Sequence, residues 1–436
     1  MKVAKMSLRL ATLAGVALFA ANVHPAKATE PPADRGEYIA RAAECVACHS
    51  IPGAPAFSGG LKMATPLGAI YSTNITPDPK TGIGGYSYED FDRALRLGIA
   101  KDGHRLYPAM PYPSYAKMND EDMHAAYDFF MKSVPAAEVA NKPSEIPAPL
   151  NMRWPLAIWN VIFADDKRYT PKPEHDAAWN RGAYLVQGLG HCGACHTPRG
   201  LAFNEKGYTE SDEQFLVGAP LDNWSAANLR QDINTGLGKW TQEELVTFLK
   251  TGHNRFGTAF GSMTDVINNS TQFMTDEDVG AIATYLRAIP GGREKTANAY
   301  AYDASTAKDL QAREFAKSGA LTYAQQCMTC HLADGAGYAP YLPPLAGNPV
   351  AVDPSPASLI NIVLNGTQRI VVDGMPDAYK MPQYRVLLSD QEIADAVSFI
   401  RSGWGNKAAP VTASEVADMR KLTDPASDQI NILRMK

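Results

Sequence analysis

The chain carries three copies of the motif C-x-x-C-H, and together they use all six of its cysteines. In this motif two thiols on adjacent helical turns add to the vinyl groups of a haem, and the histidine that follows becomes the proximal ligand of the iron. The sequence therefore predicts three covalently bound haem c groups. Their predicted attachment residues are Cys45, Cys48, Cys192, Cys195, Cys327 and Cys330, and their predicted proximal ligands are His49, His196 and His331.

Zinc and thiol redox chemistry are the alternatives for cysteine pairs of this spacing. Structural zinc usually takes four ligands from two C-x-x-C pairs that lie together. Here each pair opens its own long stretch of sequence and is followed directly by a histidine. A thioredoxin-like pair would need a βαβ setting, for which the sequence shows no pattern. The repeated histidine favours haem over both.

Residues 1–28 have the pattern of a secretory signal peptide. Lys2, Lys5 and Arg9 form a basic start, 10–21 is a short apolar run, and 26–28 is a small-x-small cleavage site. The apolar run is shorter than the about 20 residues that cross a bilayer; an uncleaved anchor is the alternative. Export agrees with the motifs, because haem attachment of this kind takes place outside the cytoplasm.

The charge balance argues against nucleic acid as a partner. The formal net charge is −5 for the whole chain, and loss of the four basic residues within 1–28 makes it −9. A phosphate backbone would repel a chain this acidic. No later stretch has the apolar length of a transmembrane helix. Any membrane association is therefore expected to be peripheral or through another subunit.

The three motifs head three repeats of one plan. Each repeat has an opening helix that leads to the motif, a middle helix that ends at a glycine, a methionine, and a closing helix with an acidic first turn. Apolar positions at helical spacing predict that each closing helix packs on the opening helix of its own repeat. The helix-ending glycines are Gly98, Gly252 and Gly366, and the closing helices begin near Asp120, Asp276 and Asp390.

The first two repeats share a further stretch that the third lacks. Asn74 and Asn228 are each followed four residues later by an aspartate, and then by Thr-Gly-x-Gly. Duplication is the simplest account of this match. In the third repeat a proline-rich stretch from Tyr341 to Pro356 stands instead.

A methionine thioether is the predicted sixth ligand of each haem iron. There it raises the reduction potential, and it closes the iron to oxygen and peroxide. By default a methionine fills core, so position in the repeat decides among the candidates. It favours Met110, Met263 and Met381 over their rivals Met118, Met274 and Met375.

His104 and His253 are the rival ligands of a different type. Each follows a helix-ending glycine and stands well before the repeat methionine, which favours a solvated loop position over the iron. Arg199 is expected either to pair with a haem propionate or to be a plain surface arginine.

Five stretches of the chain carry a family resemblance. With these motifs the chain resembles the cytochrome c subunit of membrane-bound periplasmic dehydrogenases that oxidise alcohol, gluconate, sorbitol, fructose and related sugars. The resemblance covers nearly all of the chain after the signal peptide. The most specific stretches are 35–38, 74–78, 107–112, 195–200 and 404–406.

The resemblance implies a role in electron transfer. In that family the three haems take electrons from a catalytic subunit that carries a flavin (FAD) or pyrroloquinoline quinone (PQQ), in some cases with a small subunit. They pass the electrons to ubiquinone in the cytoplasmic membrane, on its periplasmic side. This chain has no dinucleotide fingerprint and no propeller repeat, so the substrate-oxidising cofactor is expected on another subunit. By itself the chain is not expected to be an enzyme.

The repeats and the resemblance together predict an all-α fold. It consists of three tandem class I cytochrome c-type haem domains joined by proline-rich linkers. The predicted bounds are 1–28 for the signal peptide, 29–134, 175–290 and 309–406 for the domains, 135–174 and 291–308 for the linkers, and 407–436 for a C-terminal tail.

A haem enzyme of the multi-haem peroxidase type, with one open iron, is the alternative function. It would use one of the rival histidines or leave a methionine site vacant. Such an enzyme would show a high-spin ferric haem and a fast reaction with peroxide. Each repeat supplies its own methionine, which favours electron transfer instead.

Overall fold

The computed structural model describes residues 31–65, 67–294 and 298–426. The predicted signal peptide lies outside the described residues. We name the stretches around the three motifs the first (31–134), second (175–290) and third (309–406) segments. Their bounds follow the predicted domains and stay a prediction.

Each segment places its motif between an opening and a closing helix. The first segment contains α1 (Arg35–Ala42), α2 (Cys45–His49), β1 (Lys62–Thr65), β2 (Gly68–Tyr71), α3 (Tyr88–Leu97), α4 (Tyr112–Tyr115) and α5 (Asp120–Asp128), and α6 (Pro155–Phe163) follows it. The second contains α7 (Ala177–Tyr184), α8 (Gly193–His196), β3 (Ala219–Leu221), β4 (Trp224–Ala226), α9 (Gln242–Thr251), β5 (His253–Asn254), β6 (Gly257–Thr258), α10 (Ser262–Asn269) and α11 (Asp276–Ala288). Helix α12 (Ser305–Gln311) leads into the third segment, which contains α13 (Ala320–Gln326), α14 (Met328–His331), α15 (Pro349–Val352), α16 (Ala357–Asn365), β7 (Val371–Val372), β8 (Met375–Pro376) and α17 (Asp390–Ser402), and α18 (Ala413–Leu422) follows it.

Helix ends follow the capping rules that the sequence suggested. Helices α3 and α9 open with capping boxes, and both end at a glycine in the left-handed region, Gly98 (φ 61°) and Gly252 (φ 76°). Helix α16 likewise stops before Gly366 (φ 70°). The predicted middle-helix stops are therefore confirmed.

The prediction of an all-α fold is wrong. The described residues contain antiparallel two-stranded sheets that pair β1 with β2, β3 with β4, β5 with β6, and β7 with β8. Two of these hairpins turn on residue pairs that accept positive φ, namely Asp222-Asn223 (φ 46° and 66°) and Asp373-Gly374 (φ 51° and 72°). Such pairs suit the tight hairpin turn that matches strand twist.

A glycine lets the opening helix cross the closing helix closely in every segment. A Cβ on Gly36 would lie 2.2 Å from the carbonyl oxygen of Ala125, and one on Gly182 would lie 2.0 Å from that of Ala281. In the third segment, a Cβ on Gly319 would lie 2.1 Å from the carbonyl oxygen of Asp395. Helix α1 packs on α5, α7 on α11, and α13 on α17, which confirms the predicted helix pairing.

The first two segments are cross-braced by a symmetric exchange of tyrosines. Tyr38 of the first segment donates its hydroxyl hydrogen to Asp278 of the second (2.5 Å), and Tyr184 of the second donates to Asp122 of the first (2.6 Å). Each hydroxyl also accepts from the backbone N–H of the residue that caps the same closing helix. Both contacts repeat with the segments exchanged, as in an isologous interface.

The aspartates of this exchange are further neutralised within their own segments. Arg181 donates two hydrogen bonds of 2.7 Å to Asp278, and Arg35 donates one of 2.6 Å to Asp122. Burial raises the pKa of Asp278, but the hydrogen bonds from Arg181 and Tyr38 outweigh it and hold that pKa below its usual value. The Asp278 carboxylate is therefore stable in the charged form at the junction.

One hydrophobic core serves the first two segments. It contains Ile39 and Met123 from the first segment together with Trp179, Val279 and Tyr285 from the second, all buried. The third segment has a core of its own, built on residues such as Tyr323, Val397 and Trp404. The prediction of three tandem domains fails here, because the first two segments bury their apolar faces jointly.

The third segment attaches to the second mainly through polar contacts. The Ser358 hydroxyl lies between the backbone N–H and C=O of Ser225, and the Asn361 amide donates to the carbonyl of Asn223. A small apolar cluster of Ala259, Ile267 and Ile370 completes the junction. None of the helices in the described part of the chain has both the length and the apolar character needed to cross a membrane.

Candidate haem-attachment sites

Short helices carry the three C-x-x-C-H motifs. Helix α2 holds the first motif, and α8 and α14 hold the second and third from the residue after the first cysteine. Glu44 (φ 53°) and His191 (φ 34°), each just before the first cysteine of its motif, lie in the left-handed region. This bend separates the opening helix from the motif helix in the first two segments.

Each motif histidine is oriented by a backbone carbonyl. The Nδ1 atoms of His49, His196 and His331 lie 2.7 Å, 2.6 Å and 3.0 Å from the carbonyl oxygens of Thr73, Ala227 and Pro343, respectively. A carbonyl can only accept, so Nδ1 carries the hydrogen and Nε2 keeps its lone pair. Burial lowers the pKa of all three rings. A neutral imidazole with a free Nε2 is the form that ligates a metal.

Buried asparagines hold two of these carbonyls in place. Thr73 and Ala227 directly precede Asn74 and Asn228, whose side-chain oxygens accept from the backbone N–H two residues on (2.9 Å in both). Asn74 also donates to the carbonyl of Ala137, and Asn228 to Asp232. The Asn…Asp match of the first two repeats therefore shapes the loop that orients the proximal histidine. The sequence predicted that these two stretches match each other but not that they orient the histidines. Every residue type has a backbone carbonyl, so the sequence does not mark the one that accepts this hydrogen bond.

No disulfide joins any two of the motif cysteines, all of which lie in the described part of the chain. Burial raises the pKa of Cys45, Cys192, Cys195 and Cys327 to about 12. Thiols so perturbed do not supply a thiolate at neutral pH. They stand where thioether bonds to a haem would form, and their chemistry does not favour a nucleophilic or redox role.

The predicted methionine ligands differ from their rivals in burial. Met110, Met263 and Met381 are half-buried at the edges of apolar clusters. Among the rivals, Met118 and Met274 are enclosed in the core shared by the first two segments, and Met375 is 74% exposed. A thioether at a cluster edge can face a bound group, which an enclosed one cannot. This pattern fits the predicted ligands.

Two of the three predicted pairs share a cluster edge. Cys45 and Met110 border the core of the first two segments, and Cys327 and Met381 border the third-segment core. Met263 instead borders the small cluster with Ile267, and its helix α10 also contacts α2 of the first motif. The structure therefore does not place Met263 beside its own motif in the same manner.

Each of the two histidines considered as alternative iron ligands contacts an aspartate. His104 lies on an exposed loop, as expected, with Nδ1 2.5 Å from Asp102. The expectation of a solvated His253 is wrong, because its ring is buried and its Nε2 lies 3.0 Å from Asp377 of the third segment. His253 therefore links two segments.

Arg199 fixes the loop after the second motif. It donates to the carbonyls of Ala194 (2.6 Å) and Phe203 (3.2 Å), and Glu205 lies 3.8 Å away. Two of its nitrogens therefore bond to the protein backbone. Glu205 was not predicted as a site residue. It is buried against Gly193, and burial raises its pKa to about 7.

The motif geometry defines a c-type cytochrome, and comparison with known proteins agrees. The cytochrome c family model matches residues 316–404, which lie in the third segment. No equivalent match covers the first two segments in that comparison, so the predicted fold of three tandem class I cytochrome c-type domains is wrong on this ground also.

Whole-chain relatives identify the family. The chain is 49% identical to the gluconate 2-dehydrogenase cytochrome c subunit of Pantoea cypripedii, over 94% of each chain. It is 47% identical to the cytochrome c subunit of the quinone-type alcohol dehydrogenase of Gluconacetobacter polyoxogenes, over 96% of this chain and 92% of the relative. It is 36% identical to the fructose dehydrogenase cytochrome subunit of Gluconobacter japonicus, over 91% and 84%. The chain belongs to this family of dehydrogenase cytochrome c subunits, which confirms the resemblance.

Proposed function

We propose that the chain is the electron-transfer subunit of a dehydrogenase complex and binds three haem c groups. The orientation of the three motif histidines carries the proposal, since each presents a free Nε2 after a pair of cysteines. The attachment residues are Cys45, Cys48, Cys192, Cys195, Cys327 and Cys330. The haem irons would be held by His49, His196 and His331 together with Met110, Met263 and Met381.

A bound haem supplies reversible one-electron transfer at its iron. The chain supports that chemistry in three ways. The cysteines would fix the group covalently, burial keeps each histidine neutral while its carbonyl partner orients the ring, and the methionines would fill the remaining position. A thioether favours ferrous iron and so sets a high potential.

The partner proteins follow from the relatives. Their names place them in gluconate, quinone-type alcohol and fructose dehydrogenases. In our proposal a catalytic subunit with FAD or PQQ, in some complexes with a small subunit, oxidises the substrate and delivers the electrons. Ubiquinone of the cytoplasmic membrane accepts them. The exported chain works on the periplasmic side and is attached to the membrane peripherally.

Haem content tests the proposal directly. Mass spectrometry of the purified mature chain after denaturation should show the added mass of three haems, because thioether bonds survive unfolding. The serine variants of each cysteine pair should each lose one haem. A mass with fewer than three haems in the unaltered chain would contradict the proposal.

Reduction by a partner tests the electron-transfer role. The purified chain alone should oxidise no sugar or alcohol, and its haems should become reduced when a catalytic subunit and its substrate are added. Substrate oxidation by the chain alone, or a high-spin ferric haem that reacts rapidly with peroxide, would favour the peroxidase-type alternative.

A further inference from the structure

Helix α6 presents an apolar face to solvent. Trp154 at its start and Ile158, Val161 and Ile162 along it are all exposed, and Val161 is 86% exposed. Their spacing places them on one side of the helix. No residue of α6 is fully buried. A contiguous exposed apolar surface of this kind marks an interaction site more often than chance.

The opposite face of α6 is fixed to the protein. The Trp159 indole donates to the carbonyl of Ala202 (2.8 Å), and the Asn160 amide donates to the carbonyl of Leu97 (2.8 Å). Asn160 also accepts from the Tyr112 hydroxyl (2.7 Å). The exposed face therefore points away from the contacts that hold α6 to Leu97, Tyr112 and Ala202.

The apolar surface continues onto the neighbouring loop. Leu201, which is 105% exposed, and Phe203 flank Ala202, the residue that Trp159 contacts. We name this surface the α6 patch. It consists of Trp154, Ile158, Val161, Ile162, Leu201 and Phe203.

We propose that the α6 patch docks the chain on a lipid bilayer, with its side chains in the boundary between headgroups and acyl chains. This inference rests on the proposed function, because it names the surface through which the subunit meets the membrane of its quinone. A helix lying in that boundary with one apolar face immersed is an established way to hold a protein peripherally. The tryptophan at the helix start suits the same layer.

The chemistry of the patch favours lipid over a protein partner. Protein interfaces carry about one hydrogen bond per 100–200 Å², yet apart from the Trp154 indole the patch side chains have no polar group. A stable protein interface also covers about 800 Å² on each partner. The nine-residue helix is only about 13 Å long, and its Val161 and the neighbouring Leu201 project outward. Lipid hydrocarbon has no hydrogen-bonding groups, so it can cover such an apolar surface without leaving any of its own polar groups unpaired.

Charge distinguishes this mode from electrostatic binding. No charged residue lies between Trp154 and Ala164, and the whole chain carries a net charge of −5. Attraction to anionic lipids therefore contributes little. Binding should depend on apolar burial, reach zwitterionic membranes and persist at high salt.

Docking here would bring a candidate haem ligand close to the membrane. Arg153, just before α6, donates to the carbonyl of Arg105 and stacks on the Tyr107 ring at 3.7 Å. With the bond from Tyr112 to Asn160, this holds the loop 107–112 that contains Met110. The proposed docking thus leaves a single helix, α6, between the first motif's methionine loop and the lipid in which a lipid-soluble acceptor diffuses.

Flotation with phosphatidylcholine vesicles tests the inference on the haem-loaded chain. The unaltered chain should float with the vesicles at about 0.1 M and about 1 M salt alike. The double variant Val161→Ser with Ile162→Ser should lower partitioning about 30-fold, because two apolar side chains leave the bilayer. The matched control is Val386→Ser with Leu387→Ser, an exposed pair in the third segment (93% and 64%), which should float like the unaltered chain.

Three outcomes would overturn the inference. The α6 double variant could float like the unaltered chain, the control pair could lose flotation equally, or the α6 variant could keep flotation and instead lose co-purification with a catalytic subunit in detergent. Haem content and redox titration of both variants in detergent should match the unaltered chain. A chain without haem would contradict the proposed function while leaving the vesicle result to be judged by itself.

Discussion

A hydrogen bond at one nitrogen of a histidine ring decides what the other nitrogen can do. Thr73, Ala227 and Pro343 each use a carbonyl to fix the hydrogen on Nδ1 of a motif histidine. The ring is thereby held in the one tautomer that leaves Nε2 for iron. The arrangement therefore leaves Nε2 of each motif histidine available to a haem iron.

Replacing a methionine ligand should change one potential at a time. Met110→Ala, Met263→Ala and Met381→Ala should each lower the potential of one haem by on the order of 0.1 V, because a thioether stabilises ferrous iron. Spectroelectrochemical titration of the haem-loaded chain measures this. Met375→Ala is the control, since Met375 is mostly exposed. Three unchanged potentials in any ligand variant would show that its methionine does not bind iron.

Glu205 should make stability depend on pH near neutrality. Burial raises its pKa from 4.5 to about 7, so the folded chain binds the proton more tightly than the unfolded chain. The free energy of unfolding should therefore fall as pH rises from about 4.5 to about 7, by roughly 3 kcal/mol. Glu205→Gln should remove this slope in urea unfolding of the haem-loaded chain. Glu213→Gln, at an exposed position, should retain it.

Residue types with a single dominant use could be predicted from the sequence at this scale. C-x-x-C-H has few other meanings, and left-handed glycines after helices follow from steric freedom. The loop carbonyls, the burial of His253 and the role of Glu205 could not be predicted, because each depends on what the chain brings near from elsewhere. His253 meets Asp377 only through the contact between the second and third segments.

At the level of elements, the crossing of opening and closing helices is the common unit. Gly36, Gly182 and Gly319 stand at the same place in the three crossings. Apolar spacing was enough to predict these pairs, since the buried faces have helical periodicity. The hairpins were missed although Asp222-Asn223 and Asp373-Gly374 are recognisable turn pairs. Their strands span only two or three residues, too few to show alternation.

A methyl group at the crossing should be costly. Gly182→Ala would place Cβ 2.0 Å from the Ala281 carbonyl oxygen and 2.7 Å from Cβ of Tyr285. We expect a loss of about 3 kcal/mol in the free energy of unfolding, as for an overpacked core. The control is Gly280→Ala. Gly280 directly precedes Ala281 in α11, and a Cβ there would have nothing within 4 Å, so the free energy of unfolding should rise by about 0.5–1 kcal/mol. Equal effects of the two alanines in urea unfolding would refute this account.

At the scale of the whole molecule, two segments form a pair and the third is appended. The tyrosine exchange and the shared core join the first two, whereas serine and asparagine contacts attach the third. The repeat could be predicted from the sequence, but the pairing could not. Tyr38 and Asp278 lie 240 residues apart, and the local sequence around either residue does not indicate that it contacts the other.

Removing one of the tyrosine–aspartate hydrogen bonds between the first and second segments should lower the stability of the protein. Asp278→Asn removes the charge that receives Arg181 and Tyr38, and we expect a loss of about 2 kcal/mol in the free energy of unfolding. Thermal unfolding of the haem-loaded chain measures it. Glu392→Gln is the matched control, because Glu392 occupies the corresponding helix position of the third segment and only caps Ser389. A loss as large in the control would mean that capping, not the exchange, is responsible.

The swapped hydroxyls also bear on how such a molecule can vary over evolutionary time. Neither of the first two segments is a complete building block, since each borrows a donor from the other for a buried carboxylate. Related proteins should therefore either have both of these segments or lack both. The third segment has a hydrophobic core of its own, so it can be gained, lost or exchanged without disturbing the first two.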